Sequence, residues 1–545
     1  MAARGRSRRH HGAVDCAHNG CTTTRDAAHS HGVISTESVN TFDVEQLRHT
    51  VLELQSQLLH ATALNEKLTH EMAVLKRLKF AAKSEGFNAV QRSLLEETLD
   101  TDLADLEAQL EQARASMPAP AAKQTPKRTP LPSELPRREI RHEPQSSTCR
   151  CGCELERIGE DVAEKLDYTP GVFSVERHVR GKWVCAQCET LVQAPVPAHV
   201  IDKGLPTCGL LAQVLVAKFQ DHLPLYRQEQ IFERAGLAIP RSTLAQWVGE
   251  CGVALQPLVE ALSAELRTHG VLHADETPVA MLKPGHGQTH RAYLWSYCTT
   301  RFNPVQAVVF DFTESRGGGH ARDFLGLSGH GDRAAWKGRL VVDDFSGYKA
   351  CFELGVTEVG CMAHARRKFH ELWVNHGSTI SEQALTFYGS LYDLEREVLD
   401  LEPDVRRELR QRRARPIADA LQQWLLAQRQ KVPDGSATAK AIDYTLNRWV
   451  ALTRYLDDGE LPIDNNWVEN QIRPIAIGRS NWLFAGSLRA GQRAAAVMSL
   501  LHSARLNGHD PYAYLKDVLE RLPTQPASRI TELLPHCWRQ PSSAH

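Results

Sequence analysis

Long apolar runs are absent from this 545-residue sequence. No stretch approaches the ~18 residues that a membrane-spanning helix needs, so a helical membrane protein is excluded and no membrane partner is expected. An excess of one charge sign is also missing. The 64 Lys and Arg are matched by 65 Asp and Glu, a net charge of −1. Global charge therefore neither favours nor excludes nucleic-acid binding, and only local clusters can decide it. The basic opening MAARGRSRRHHGAVD is followed by no apolar core segment, which rules out a secretory signal. A cytoplasmic protein is expected. No internal repeat of 20–50 residues is found.

What is present is ordinary globular material in quantity. Apolar residues make up 42% and charged residues 24%. Those values exclude wholesale disorder and architectures made of collagen or coiled coil alone. At roughly 100–200 residues per domain, the chain holds several domains. Thirteen cysteines are an odd number, and five cluster within 149–188. Without an export signal this reads as reduced thiols, some holding metal.

Residues 1–42 read as a disordered, basic and His-rich tail; Cys16, His18 and Cys21 belong to it more readily than to a metal site. Residues 43–116 read as a helical N-terminal domain with a coiled coil. Val44, Val51, Leu58, Asn65 and Met72 fall at one heptad position, and Leu47, Leu54, Ala61, Leu68 and Leu75 at the other. A single Asn in such a seam fixes register and strand number in parallel dimers, so self-association is expected. The plainer alternative is an amphipathic helix packed in its own domain. A second seam, Leu99, Leu103, Leu106, Leu110 and Ala113, can fold back on the first.

Residues 117–147 hold seven prolines and six Lys or Arg and read as an extended basic linker. Residues 148–200 form a cysteine module. Residues 201–269 read as a helical connector, with two short helices in 223–247 that resemble a helix-turn-helix and an N-cap expected at Ser242. From 270 the pattern turns to short strands, VLHADETPVAM, RAYLWSYCT, VQAVVFDF and GRLVVDDF, and then a strand leading into the basic helix of VTEVGCMAHARRKF. A charged helical insertion covers about 380–456. Residues 481–525 read as a C-terminal helical segment and 526–545 as a tail.

Three constellations carry chemistry. In the first, Cys185-Ala-Gln-Cys188 faces a tight run of Cys149, Cys151 and Cys153. Two thiolates on one turn reach a single ion, so Cys149, Cys151, Cys185 and Cys188 are the favoured ligands of a structural zinc, with Cys153 able to substitute. A redox pair is the alternative. In the second, Asp275, Asp343 and Glu469 sit in VLHADETPV, RLVVDDFSGY and PIDNNWVENQIRP. Three carboxylates on separate elements suit two hard divalent cations, although strands also end in solvated Asp residues for no functional reason. The third is basic. His364, Arg366, Arg367 and Lys368 occupy little more than one helical turn, and Arg473, Arg479, Trp482, Arg489 and Arg493 follow Glu469. Such cations fit phosphates and a Trp can stack on an unpaired base, while a solvated face is the plainer reading.

The ordered set HADETPV, VVDDFSGY, CMAHARRKF, PIDNNWVENQIRPIAIGRSNWLFAGS and GQRAAAVMSLLHSARLNGHDPYAYL resembles the large transposase of the bacterial insertion sequence 66 family, over roughly residues 44–520. The resemblance implies a multidomain α+β chain: an N-terminal coiled coil, a small zinc-binding module and an RNase-H-like mixed α/β catalytic domain over 270–480 with a helical insertion. It implies a DDE transposase that cuts element ends and joins them to target DNA. Asp275, Asp343 and Glu469 would hold two catalytic Mg²⁺ ions, for which Mn²⁺ could substitute, and Zn²⁺ would be structural. Asp344 and Trp467 depart from the usual family pattern, and Asp464 and Glu276 are bystanders by this mapping. DNA, a second copy of the chain and small accessory transposition proteins are the implied partners, with the protein on the nucleoid when bound. A non-catalytic DNA-binding regulator and an RNase-H-like nuclease that hydrolyses without joining are the rival readings.

Overall fold

The computed structural model describes residues 44–81, 89–115, 131–133, 135–144, 146–149, 151–169, 171–201, 204–282, 289–329 and 334–540. The tail expected over 1–42 lies outside these residues. The chain divides into two compact units, residues 1–63 and 64–545. It is a mixed α/β multidomain protein, and no helix among the described residues is long and apolar enough to cross a membrane.

Helix α1 (Val44–Ala81) bears out the long heptad as one continuous helix. In the first unit its seam is uncovered: Val51, Leu54 and Leu58 are each about half exposed (50%, 49% and 54%). In the second unit the seam is used. Leu68 is buried against Leu106 and Leu110 of α2 (Ala89–Ala115), so the two helices form a hairpin there. Leu94, Leu95 and Leu99 of α2 bury against Leu282 and Phe484. At about 1.5–3 kcal/mol per buried Leu, that face ties α2 into the main body.

Part of the expected linker is a strand. Residues 137–142 form β1 (Arg137–His142), which pairs in parallel with β3. Its side chains are mostly exposed, so no apolar alternation announces it. Strands β2 (Leu155–Thr169) and β3 (Val172–Cys185) make a long antiparallel hairpin. Gly171 closes it with a φ of +89°, a conformation that suits glycine. Short β4 (Leu191–Gln193) adds to the end of β3.

Helices α3 (Cys208–Phe219), α4 (Leu225–Arg234) and α5 (Arg241–Leu266) follow. The expected cap at Ser242 is corrected here. Pro240 precedes α5, whose first residue is Arg241, and no side chain caps it. Proline's fixed φ and missing N–H pre-set a helix start without a capping hydroxyl. Nor is the second helix short, since α5 runs 26 residues.

The second sheet combines β5 (Val271–Leu282), β6 (Thr289–Thr299), β7 (Val308–Thr313), β8 (Arg339–Val341) and β9 (Thr357–Val359). Its order is β7-β6-β5-β8-β9. The β5–β6 and β6–β7 pairs are antiparallel, whereas β8 runs parallel to both β5 and β9. Two short helices, α6 (Gly319–Phe324) and α7 (Lys349–Glu353), sit in the connections. Basic helix α8 (Met362–His376) comes next, and the insertion supplies α9 (Thr379–Glu397), α10 (Pro403–Leu409), α11 (Arg415–Arg429), α12 (Ala437–Asn447) and α13 (Trp449–Thr453). These helices share one core with Val271, Val341 and Val359 of the sheet. The chain ends in α14 (Asn466–Trp482), α15 (Leu488–Leu506) and α16 (Pro511–Arg521). Ser499 and Ser503 of α15 accept from the outward N–H groups of Phe310 and Val308, which covers the edge of β7. Within the expected tail, residues 526–540 are packed: Leu533 and Leu534 are buried, and Trp538 donates to Asp517 at 2.7 Å.

Candidate functional site

The cysteine site is set by strand register. Leu155 at the start of β2 pairs with Cys185 at the end of β3, so the residues preceding one strand meet those following the other. Gly152 turns the first knuckle with a φ of +88°. The thiols of Cys149, Cys151, Cys185 and Cys188 all lie within 4.8 Å of one another. Individual separations are 3.3 Å for Cys149–Cys188, 3.5 Å for Cys151–Cys185 and 3.7 Å for Cys151–Cys188. Four Zn–S bonds of ~2.3 Å in a tetrahedron require sulfur separations of ~3.8 Å, so the four thiols fit a structural zinc. Thr190, with its hydroxyl 3.2 Å from Cys188, holds that thiol down to about 6, which favours the thiolate a metal takes. Cys153 is not one of this group, and its thiol contacts Gln187 at 3.0 Å.

The acidic site lies where β5 and β8 run side by side. The parallel register matches His273 with Val341; two residues further along each segment stand Asp275 and Asp343, and Asp275 feels the charge of Asp343. The same parity turns Asp344 away, to an ion pair with Arg448 at 3.5 Å. Arg448 also donates to the Asp343 carbonyl at 3.0 Å and fixes this loop from the end of the insertion. Glu469 enters from the first turn of α14. Burial, and then the charges of Glu276, Asp343 and Glu469, push the Asp275 carboxyl well above the ordinary range. Such mutual repulsion marks a site short of positive charge. Among the described residues only the four cysteines form a group of three or more ligand side chains already placed to share one ion.

Of the neighbouring groups, sequence named Glu276 and Asp464 only as bystanders and did not single out Arg316, Tyr348, Tyr392 or Asn465. Glu276 is engaged by Arg316 (Nε–Oε1 2.7 Å) and by the Tyr348 hydroxyl at 2.7 Å. The Arg316 guanidinium lies 3.8 Å from the Phe345 ring centroid. Asp464 accepts from the Tyr392 hydroxyl at 2.8 Å and from the amide of Asn466 at 3.0 Å, which joins the insertion to the start of α14. Asn465 is wholly buried and contacts His273 and Ala274 of β5. The only sequence signals for these were a polar His in an apolar strand and two Asn before a helix.

The basic residues divide. Arg366, Arg367, Lys368 and Arg473 are exposed. Arg367 lies 3.7 Å and His364 3.9 Å from Glu469. Burial pulls the His364 imidazole below its usual range, against the pull of Glu469. Lys368 sits 4.3 Å over the Tyr444 ring. Other predicted phosphate contacts are committed within the protein. Arg479 donates to the Pro278 carbonyl and to Thr277. Trp482 packs against the main core. Arg489 pairs with Glu71 at 2.7 Å and Asp105 at 3.5 Å, and buried Arg493 pairs with Asp102 and Asp105 at 2.7 and 2.8 Å.

Comparison with known proteins agrees with this layout. Residues 203–493 match the family model described as Transposase IS66 family, and residues 499–536 match the IS66 C-terminal element. Residues 146–189 match the zinc-finger binding domain of transposase IS66, and 67–140 the model described as Transposase C of IS166 homeodomain. An uncharacterized protein of Sinorhizobium fredii, y4jD, is 34% identical over 520 residues, covering 91% of this chain and 96% of the relative. A second from the same organism, y4qI, is 36% identical over 490 residues, or 86% and 88% of the two chains. The chain belongs to the IS66 family of transposases.

Proposed function

We propose that the protein is a DDE transposase whose catalytic carboxylates are Asp275, Asp343 and Glu469, acting on element ends and target DNA. The observation that carries this is the sheet. Its order, with three antiparallel strands followed by two parallel ones, is the order of an RNase-H-like domain, and Asp275 lies on the central strand with Asp343 just past its parallel neighbour. The helical insertion then returns the chain to α14 and Glu469.

Hard divalent cations fit these residues. The donors are carboxylate oxygens, their charges repel one another, and Oε1 of Glu469 is buried without a hydrogen bond. Two Mg²⁺ ions, or Mn²⁺ in their place, would supply activation of a water or 3′-hydroxyl and neutralisation of the leaving oxygen. Around them, Glu276 is already engaged by Arg316 and the Tyr348 hydroxyl, which supports Asp275, Asp343 and Glu469 as the ligands. The parity of β8 favours Asp343 over Asp344. Arg366, Arg367, Lys368 and Arg473 are exposed cations for the phosphodiester backbone, which they would position without reading sequence. The uncovered seam at Val51, Leu54 and Leu58 supports pairing with a second copy, and two element ends require two active sites.

The test is strand transfer with purified protein, labelled end DNA, supercoiled target and Mg²⁺. Wild type should join ends to target. Asp275→Asn, Asp343→Asn and Glu469→Gln should each abolish joining while retaining end binding. Full joining by any one variant removes that residue from the triad. Cleavage without joining would instead favour a nuclease. Because family members are encoded beside small accessory proteins, the assay includes an arm with those neighbours added. End binding without either reaction in both arms would favour a DNA-binding regulator.

A further inference from the structure

Asp275 and Glu469 lie 194 positions apart, on a strand and on a helix, and their separation must be set by something between them. Arg479 ties α14 to β5 beyond Asp275, and one side chain ties them at the start of α14. Asn465, the residue before α14, is wholly buried. Its Nδ2 donates to the carbonyl of Ala274 at 3.0 Å, the residue preceding Asp275. An amide that donates from nitrogen accepts at oxygen, so Nδ1 of His273 carries the hydrogen and donates to Oδ1 at 2.7 Å. The backbone N–H of Asn465 donates to Sγ of Cys361 at 3.2 Å. That same sulfur lies 3.2 Å from Nδ1 of His364, and Nε2 of His364 faces Oε1 of Glu469 at 3.9 Å. Finally, the carbonyl of Asn465 accepts from the N–H of Glu469 at 3.3 Å.

One residue therefore binds the strand that carries Asp275, the helix that carries Glu469 and the start of basic helix α8. Hydrogen bonds of this kind, two to a side chain and one to a buried thiol, are expensive to leave unmade in a dry interior. No other residue type satisfies all of them. Asp lacks the donor for Ala274, Ala lacks both groups, and Gln is one methylene too long for a fully buried position.

We propose that Asn465, with His273 as its partner, is the positioning residue that sets the spacing of Asp275 and Glu469 and thereby the divalent-metal affinity of the site. The inference rests on the assignment of those two carboxylates as metal ligands. It makes neither Asn465 nor His273 a ligand. Partners that orient metal ligands from behind change affinity by ~10–100-fold when removed.

The experiment is Mn²⁺ binding to the full chain, followed by calorimetry and by the electron paramagnetic resonance signal of free Mn²⁺. Zinc content and the melting temperature without added divalent metal are recorded alongside. Asn465→Ala should bind Mn²⁺ at least tenfold more weakly than wild type with zinc content unchanged, and Asn465→Asp should be weakened as well. A purely structural role would lower the melting temperature and leave Mn²⁺ affinity where it was; that result overturns the proposal. Should Asn465→Ala fail to fold, His273→Gln decides, because its amide can still donate to Asn465. It should retain affinity within about threefold, whereas His273→Leu should lose at least tenfold. Equal affinities for those two variants would overturn the proposal too. Asp275→Asn separates the two claims. Wild-type Mn²⁺ binding that Asp275→Asn does not reduce would remove the metal-site reading itself, and with it this inference. Binding that needs Asp275 but ignores Asn465 and His273 would remove only the inference.

Discussion

Arg493→Met tests whether the N-terminal helical hairpin is held to the main body by buried charge. The Arg493 side chain is 5% exposed, and its two guanidinium nitrogens reach Asp102 at 2.7 Å and Asp105 at 2.8 Å, with those acids 1% and 8% exposed. Its methylenes lie against Gly252 of α5, where a Cβ would come within 2.5 Å of Cδ. Methionine keeps that packing and removes only the charge. Two carboxylates are then left in a dry site, and breaking a buried pair in this way costs ~3–5 kcal/mol. Burial already raises the Asp102 carboxyl, with Arg493 opposing that rise, so the variant's loss should shrink as pH falls and Asp102 takes up a proton. A chain of several domains has no single unfolding free energy, so the assay is native-state hydrogen exchange over 94–110. At ~1.4 kcal/mol per decade, protection of α2 should fall by about two to four decades at pH 7. Adding Asp102→Asn and Asp105→Asn to the variant should recover much of it. Protection within about twofold of wild type, or an equal loss in the doubly amidated background, would refute the reasoning.

Other outcomes follow from the same geometry. Cys149→Ser, Cys151→Ser, Cys185→Ser or Cys188→Ser should each lower zinc below one equivalent per chain, whereas Cys153→Ser should retain it, read by metal release with a chromogenic chelator. His502 is buried against Phe310 and held down to about 3 by burial. Its imidazole gains a proton only on unfolding between about pH 6.5 and 3, so it contributes a loss of stability as pH falls through that window, up to ~1.4 kcal/mol per pH unit. His502→Phe should flatten the fall in melting temperature between pH 7 and 5; an unchanged slope would place the acid sensitivity elsewhere.

The sequence made local order legible and left long-range pairing hidden. The heptad of α1, the strand runs around Asp275 and Asp343, and the helical insertion were readable because apolar periodicity within a few residues determines them. Strand β1 was not, because its side chains RREIRH lie on an exposed edge with no buried face to pattern. Arg489 and Arg493 look like phosphate contacts in sequence. Their hydrogen-bond partners Glu71, Asp102 and Asp105 are 388 to 418 residues away, and only the fold reveals that these charges are already paired. Asn465 is similar: no side-chain cap forms at the start of α14, and its amide serves a strand 191 residues earlier. The thiols that the fold gathers are those of Cys149, Cys151, Cys185 and Cys188; spacing alone left Cys153 able to substitute, because three candidates share one short loop.

The central claim is that Asp275, Asp343 and Glu469 form one divalent-metal site on the sheet. It is tested most directly by anomalous diffraction from crystals of the full chain bound to a cut element end and soaked in Mn²⁺. The account predicts manganese at ~2.1 Å from carboxylate oxygens of Asp275, Asp343 and Glu469, with Asp344 still paired to Arg448. Manganese bound elsewhere while these three carboxylates stay unligated would contradict it.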